Sequence, residues 1–85
     1  MYKVLWTTTG DADMLAQLLR AVDKASILRT ARRAERLLSQ NPREAGEGRG
    51  QAARILFVRP LSFAFAIDDT SMTVFVERVR WIGSE

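Results

Sequence analysis

Arginine is the main residue type in this chain that could do chemistry, and four arginines are spaced for one face of a helix. They occur at i, i+3, i+4 and i+7: Arg29, Arg32, Arg33 and Arg36. A guanidinium pairs with phosphate or carboxylate through two parallel hydrogen bonds. Such a stripe could contact nucleic-acid phosphates or dock an acidic peptide. The alternative is a solvated outer face of an amphipathic helix, softened by Glu35 and Asp23.

A second basic set follows the glycine-rich middle of the chain. Arg54 and Arg59 bracket one predicted strand, and Arg78 and Arg80 alternate along the last one. Arginines on a sheet face that no helix covers could hold a phosphate backbone, with Ser62 close by. Alternatively, they are edge charges that discourage strand-to-strand aggregation.

Other chemistry is excluded by composition, since the chain has no cysteine and no histidine. Disulfides, thiolates and the commonest metal ligand and general base are therefore absent, and we predict no metal and no cofactor. Ser62 and Ser71 lack a histidine base. Gly46, Gly48 and Gly50 precede a strand, so they do not form a phosphate-binding loop. A net charge of +3 and a pI near 10.2 are compatible with an acidic or polyanionic partner.

Six aromatic residues could form a base-stacking platform: Trp6, Trp81, Phe57, Phe63, Phe65 and Phe75. Alternation within strands favours core packing for the phenylalanines instead. The two tryptophans fall near strand ends, where we expect them to be more open.

The length predicts one domain spanning residues 1–85. No segment approaches the roughly 18 consecutive apolar residues of a membrane span, so we expect no membrane partner. The first residues alternate like a strand and lack a signal-peptide pattern, which favours the cytoplasm.

The first half of the chain predicts a strand and two helices. The strand covers Tyr2–Trp6, and a first helix begins near Thr8 and ends near Asp23. Its predicted core stripe is Leu15, Leu18, Leu19 and Val22. A second helix fits Lys24 to Gln40, with the apolar stripe Ile27, Ala31, Ala34 and Leu38.

The second half predicts a loop and three strands. Residues 41–53, NPREAGEGRGQAA, have the composition of a loop. From Arg54 onward the chain is strand-like, with turns at Pro60 and at 68–71, which predicts an antiparallel meander. Helices that each bury one stripe must pack on one face of the sheet, so the predicted fold is a two-layer α+β domain.

The order of elements resembles the RelE/ParE superfamily of bacterial toxin–antitoxin toxins. The resemblance depends on the exit of the second helix, LLSQNPREAGE, then RILFVRPLSFAFAID and MTVFVERV. In that family a loop after the second helix leads to an arginine-headed strand, a hairpin, an aromatic-rich strand, an acidic turn and a β-branched last strand.

The resemblance implies a toxin that a cognate antitoxin neutralises, acting on ribosome-bound messenger RNA or on DNA gyrase. It makes Arg54, Arg78 and Arg80 the candidate catalytic residues of a metal-independent ribonuclease. Ribonuclease members often carry arginine just after the hairpin turn, where this chain has Ser62, and the last residues lack a tyrosine or histidine. Glu77 is the one acid on the predicted strands outside the turn. We therefore expect ribonuclease activity to be weak or absent, leaving a non-catalytic nucleic-acid-binding or interaction module as the alternative function.

Overall fold

A computed structural model describes residues 1–49 and 53–83, as three helices and five strands. The strands are β1 (Lys3–Trp6), β2 (Glu47–Arg49), β3 (Ala53–Val58), β4 (Leu61–Asp68) and β5 (Thr73–Trp81), and the helices are α1 (Thr8–Arg20), α2 (Lys24–Gln40) and α3 (Pro42–Ala45). No helix in these ranges is long and apolar enough to cross a membrane.

The five strands form one sheet in the order β1-β5-β4-β3-β2. β1 runs parallel to β5, and every other neighbouring pair is antiparallel. α1 and α2 bury their inner faces against one side of this sheet, in a core that includes Met14, Leu38, Phe63, Phe65 and Val76. The predicted two-layer α+β fold with a three-stranded meander is confirmed.

α2 matches its predicted bounds and its predicted core stripe. Ile27, Ala31, Ala34 and Leu38 are all buried. The Asp23 carboxylate accepts a hydrogen bond from the Ser26 amide at 3.1 Å and caps the helix N-terminus.

The predicted core stripe of α1 is confirmed only at Leu18, which packs against the core, and is wrong at its other three members. Leu15, Leu19 and Val22 are 55%, 70% and 105% exposed, and the buried residues of the helix are Gly10, Met14 and Gln17. The helix begins at Thr8 as predicted and ends at Arg20, three residues before the predicted end. Thr7 is the N-cap, and its hydroxyl accepts a hydrogen bond from the Gly10 amide at 3.0 Å.

The prediction of a loop over residues 41–53 is also wrong in part. Pro42 opens the short helix α3 at its first turn, where its missing amide hydrogen costs no helical bond. Glu47–Arg49 then pair with β3 as the edge strand β2. Residues 50–52 of the predicted loop lie outside the described residues.

The phenylalanines divide between the two faces of the sheet, which corrects the expectation that they all face inward. Phe63 and Phe65 are almost fully buried in the core. Phe57 is 42% exposed, and Phe75 is half-buried. Trp6 packs edge-on against Phe63 with ring centroids 6.2 Å apart.

The N-terminus of α1 packs directly on the edge of β5. The amide and hydroxyl of Thr7 both donate to the Val76 carbonyl oxygen, at 3.0 and 3.3 Å. The backbone of Gly10 lies against the same carbonyl so closely that a Cβ at Gly10 would overlap its oxygen. β1 ends opposite Val76, so beyond this residue the N-terminus of α1, and not a strand, lies along the edge of β5.

A β-bulge follows at this junction, and Asp13 stabilises it. Val76 pairs with Phe65 and Arg78 with Ala64, so Glu77 has no partner on β4. One Asp13 carboxylate oxygen accepts from Arg78 Nε at 2.8 Å and from the Val79 amide at 2.9 Å. These two hydrogen bonds hold the pKa of the Asp13 carboxyl below its ordinary value.

Replacing Gly10 by alanine tests the packing of α1 on β5. We expect Gly10→Ala to lower the free energy of unfolding by about 1–3 kcal/mol, because the added methyl group overlaps the Val76 carbonyl. Helix propensity alone favours alanine by about 1 kcal/mol, so the predicted sign is the opposite of that preference. Gly48→Ala is the control, since the nearest atom to its added Cβ is 3.8 Å away. Urea unfolding of both variants gives the comparison, and an unchanged or more stable Gly10→Ala protein would contradict it.

The pH dependence of stability tests the Asp13 contacts. A carboxyl whose pKa is lowered by folding adds stability above its unfolded pKa of about 3.9, and that stability is lost as the pH falls through the folded pKa. We expect Asp13→Asn to be less stable than the parent chain at pH 7, with a difference that shrinks steadily below about pH 4. Thermal unfolding of both proteins across this range measures it, and a difference independent of pH would count against the ionic contact.

Candidate functional site

The four arginines of α2 form an exposed stripe on the face opposite the core. Arg29, Arg32, Arg33 and Arg36 are all exposed, as their spacing predicts. Among the described residues, none of them forms a salt bridge with a carboxylate. The stripe is therefore a concentrated positive charge on a protein of modest net charge.

Three carboxylates bond to groups other than the four arginines. Glu35 accepts a hydrogen bond from the indole nitrogen of Trp6 at 2.6 Å, and Asp23 caps α2. Asp69 accepts from the Tyr2 hydroxyl at 2.9 Å and from the Arg43 guanidinium, which together hold the pKa of its carboxyl below the ordinary value.

The stripe borders a cleft on each side of α2, and the two clefts differ in charge. The cleft toward β3 has a volume of about 420 Å³ and is lined by Ser26, Arg29, Thr30, Arg33, Leu37, Phe57, Val58 and Arg59. We call it the arginine cleft, and its lining contains no carboxylate. The cleft toward β1 is lined by Arg32 and Arg36 together with Val4, Glu35 and Ser39, so a carboxylate partly neutralises it.

Arg54 lies on the helix-covered side of the sheet. It pairs with the core residue Phe65, and its Nη2 donates to the carbonyl oxygens of Arg43 at 2.7 Å and Gly46 at 3.1 Å. Gly46 packs on the ring of Phe65, where a Cβ would overlap it. Arg54 therefore fixes the chain between α3 and β2 to the sheet.

Arg78 and Arg80 leave β5 on the side opposite the buried Val79, so they lie on the open face of the sheet. Arg78 is held by Asp13, and Arg80 is opposite Ser62 on β4. The structure thus brings Arg80 and Ser62 together, but it does not bring Arg54 to either of them. Arg59 lies at the other end of β3 from Arg54, where its Nη1 donates to the Gly83 carbonyl at 3.3 Å. The proposed catalytic role of Arg54, Arg78 and Arg80 stays a prediction.

Three apolar side chains that the sequence assigned to the core face solvent instead: those of Leu15, Leu19 and Val22. Together with Trp81, which was expected to be open and is 56% exposed, they make up what we call the apolar surface. Beside it lies a cleft of about 560 Å³, whose lining includes Ala21, Val22, Ile27, Pro60 and Trp81. Groups of large exposed apolar side chains are typical of interaction sites. The helical spacing of these residues was the available signal, but it could not tell a core face from a partner-binding face.

Within residues 1–49 and 53–83, no cluster of three or more acidic side chains is arranged to hold a metal ion. The side chains gathered at the places described above are mainly guanidinium groups, hydroxyl groups and apolar or aromatic groups. Their chemistry is binding and charge stabilisation, in three places: the arginine cleft, the open face around Arg80, and the apolar surface.

Comparisons with known proteins identify the fold. No protein-family model matches the sequence, and no curated protein matches it. A chain of the RelBE2 toxin–antitoxin complex of Mycobacterium tuberculosis superposes with a TM-score of 0.79 at 22% identity, over 94% of this chain and 96% of that one. A chain of the chromosomal ParDE system of P. aeruginosa gives 0.74 at 18% identity, over 96% and 97%. A chain of the intact E. coli RelBE complex gives 0.66 at 17% identity, over 93% and 94%.

These likenesses extend over nearly the whole length of each chain, so they include both layers and all the elements between β1 and β5. The two-layer arrangement of this chain is accordingly the RelE/ParE-like toxin fold.

Proposed function

We propose that this chain is the toxin of a two-component toxin–antitoxin system, which stops growth when it is free and is held inactive by a cognate antitoxin. The observation that supports this most directly is the apolar surface on a chain with the RelE/ParE-like fold. Three of the solved structures that share this fold come from toxin–antitoxin systems. A stable partner would bury these exposed apolar side chains.

The apolar surface suits an amphipathic segment of the antitoxin. Burying a leucine or valine side chain contributes about 1.5–3 kcal/mol, so covering Leu15, Leu19 and Val22 could supply much of a tight interaction. Arg20 and Asp23 both line the neighbouring cleft and offset one another. The attraction for an acidic antitoxin segment therefore comes from the net charge of +3 on the chain as a whole.

The target is a polyanion or a protein that handles one: ribosome-bound messenger RNA or DNA gyrase. The open face offers Arg80 and Arg78 to such a target, and the buried Ser62 lies opposite Arg80 on β4. Strand cleavage would also need groups that take a proton from the 2′-hydroxyl and give one to the leaving oxygen, and a positioned acid or base is worth about 10²–10⁴-fold. Arg54 lies on the other side of the sheet, which favours binding to the target with weak cleavage or none.

A non-catalytic nucleic-acid-binding module of the same fold is the second candidate. The observation that favours it is the arginine stripe of α2, which has no carboxylate partner among the described residues. Such a module would bind RNA or DNA with strong salt dependence and would not arrest growth.

Induced expression in a bacterial host separates these functions. We expect growth to stop on induction, and Arg80→Ala to weaken the arrest without changing the melting temperature, because Arg80 is exposed. Arg54→Ala should instead lower the melting temperature, since it releases the carbonyl groups of Arg43 and Gly46. Primer extension on messenger RNA then tests for cleavage. A folded, expressed protein that leaves growth unchanged would contradict the toxin function.

Charge substitution on α1 tests the proposed antitoxin surface. Co-expression of the small protein encoded beside this gene should restore growth, and we expect Leu19→Glu to abolish that rescue while the arrest itself persists. A charge buried in an apolar interface should weaken binding by at least about tenfold, or 1.4 kcal/mol. Gln40→Glu is the control, because Gln40 is exposed at the far end of α2. Rescue that survives Leu19→Glu would place the antitoxin elsewhere.

A further inference from the structure

The cleft beside the apolar surface contains a buried polar side chain that the proposed function leaves unexplained. Gln17 is 8% exposed and lines this cleft, and its carboxamide bonds to no group among the described residues. We infer that this cleft, which we call the Gln17 cleft, binds an aromatic side chain with a hydrogen-bonding edge, a tryptophan or a tyrosine of the antitoxin. The inference rests on the proposed function, because it names an anchor of that same partner.

The position of Gln17 is the first argument. It lies on the inner face of α1, where the other buried residues are Gly10 and Met14. Its side chain lines both the Gln17 cleft and a smaller cleft of about 340 Å³ between α1 and the end of β5. Buried polar groups in folded proteins are nearly always hydrogen-bonded. A carboxamide that meets two clefts and no protein partner is therefore a group that water or a bound ligand must satisfy.

The walls of the Gln17 cleft suit a flat apolar body. Apolar side chains line it on several sides: Ala21, Val22, Ile27, Pro60 and Trp81. Trp81 is 56% exposed, so its indole has accessible surface on which a second ring can pack. The volume of about 560 Å³ lies within the range of sites that enclose a bound group. Val22 and Trp81 also belong to the apolar surface, so a segment seated there can place a side chain in the cleft.

The charged residues of the Gln17 cleft favour a neutral occupant. Arg20 and Asp23 both line it, so an anionic group would meet the carboxylate and a cationic group the guanidinium. The Asp23 carboxylate is held in place by the Ser26 amide, whose hydrogen bond it accepts. Neither sign of charge is therefore welcome throughout the cleft, and the occupant is an uncharged side chain.

The carboxamide of Gln17 then decides between purely apolar and aromatic polar side chains. An apolar side chain displaces water from the carboxamide and returns no hydrogen bond, which weakens binding. Tryptophan and tyrosine combine an apolar ring with an N–H or O–H group at its edge. The amide oxygen of Gln17 can accept a hydrogen bond from either group. These two residue types are also the commonest anchors of protein interfaces.

Fragment binding to the full chain tests the chemistry of the cleft in the absence of the antitoxin. The probe is N-acetyltryptophan amide, and its comparison is the analogue with a benzothiophene ring, in which sulfur replaces the N–H group at nearly the same size. We expect the indole probe to bind about tenfold more tightly, with a dissociation constant on the order of 1 mM, because only it can donate to Gln17. Shifts of the Gln17 and Trp81 side-chain NMR signals during titration measure both affinities.

Gln17→Met tests whether the carboxamide causes this preference, because methionine has a similar length and no amide. We expect the preference for the indole probe to fall below about twofold, as in a double-mutant cycle whose interaction has been removed. The Trp81 signal still reports binding in this variant. Gln40→Met is the matched control and should keep the preference, since Gln40 is exposed at the far end of α2. Circular dichroism melting shows that the proteins compared are folded.

Competition by the antitoxin tests the identity of the occupant. The complex with the small protein encoded beside this gene should no longer bind the indole probe, because an aromatic side chain of that protein fills the cleft. A complex that still binds the probe would place the cleft outside the interface and would overturn the anchor.

Three results of the fragment experiment would overturn the inference. Equal affinity for the two probes, or a preference that survives Gln17→Met, would mean that Gln17 does not select the occupant. Absence of any shift at about 10 mM probe, ten times the expected dissociation constant, would exclude an aromatic site. Growth arrest without the indole preference overturns this inference and leaves the toxin function standing. The indole preference without growth arrest contradicts the toxin function and supports the selectivity of the cleft.

Discussion

The contact between the first turn of α1 and the edge of β5 determines how the rest of the molecule is arranged. Thr7 and Gly10 surround the Val76 carbonyl, and one turn later Asp13 binds the Val79 amide. Each contact satisfies or covers a backbone group that β1 leaves unpaired where it ends. Because Gly10 and Asp13 must face β5, the rotation of α1 about its axis is fixed. Leu15 and Leu19 then point to solvent whatever their hydrophobicity, so the apolar surface is a consequence of a backbone requirement.

The same reasoning explains which elements could be predicted from the sequence. α2 was predictable because its apolar stripe, its arginine stripe and the proline after it all indicate one helix in one orientation. β4 was predictable because Phe63 and Phe65 alternate with small residues. The orientation of α1 was not, since no local pattern reports that a glycine must approach a carbonyl group distant in sequence. β2 was also missed, because its three residues have no strand pattern of their own and pair with β3 only where Arg54 fixes the preceding chain.

The candidate site was predictable in residue type but not in arrangement. Periodicity placed the α2 arginines on one exposed face, and the structure keeps them there. It could not show that Arg54 and Arg80 point to opposite sides of the sheet, because that depends on the register of β3 and of β5 against β4. Periodicity also could not show which groups the acidic residues bond to. Asp13, Glu35 and Asp69 each accept a hydrogen bond from a group outside the arginine stripe. The four arginines of α2 have no carboxylate partner among the described residues, so the positive charge on α2 is denser than the net charge of +3 suggests.

The apolar surface and the arginine cleft are adjacent, so one partner segment can reach both. Ser26 lines both the cleft beside the apolar surface and the arginine cleft. A partner segment that covers Val22 and continues past Ser26 reaches Arg29 within one turn of α2. Apolar residues in the first part of such a segment and carboxylates in the next part would match the two surfaces in order. One acidic, amphipathic partner segment could therefore cover the apolar surface and the arginine cleft at the same time.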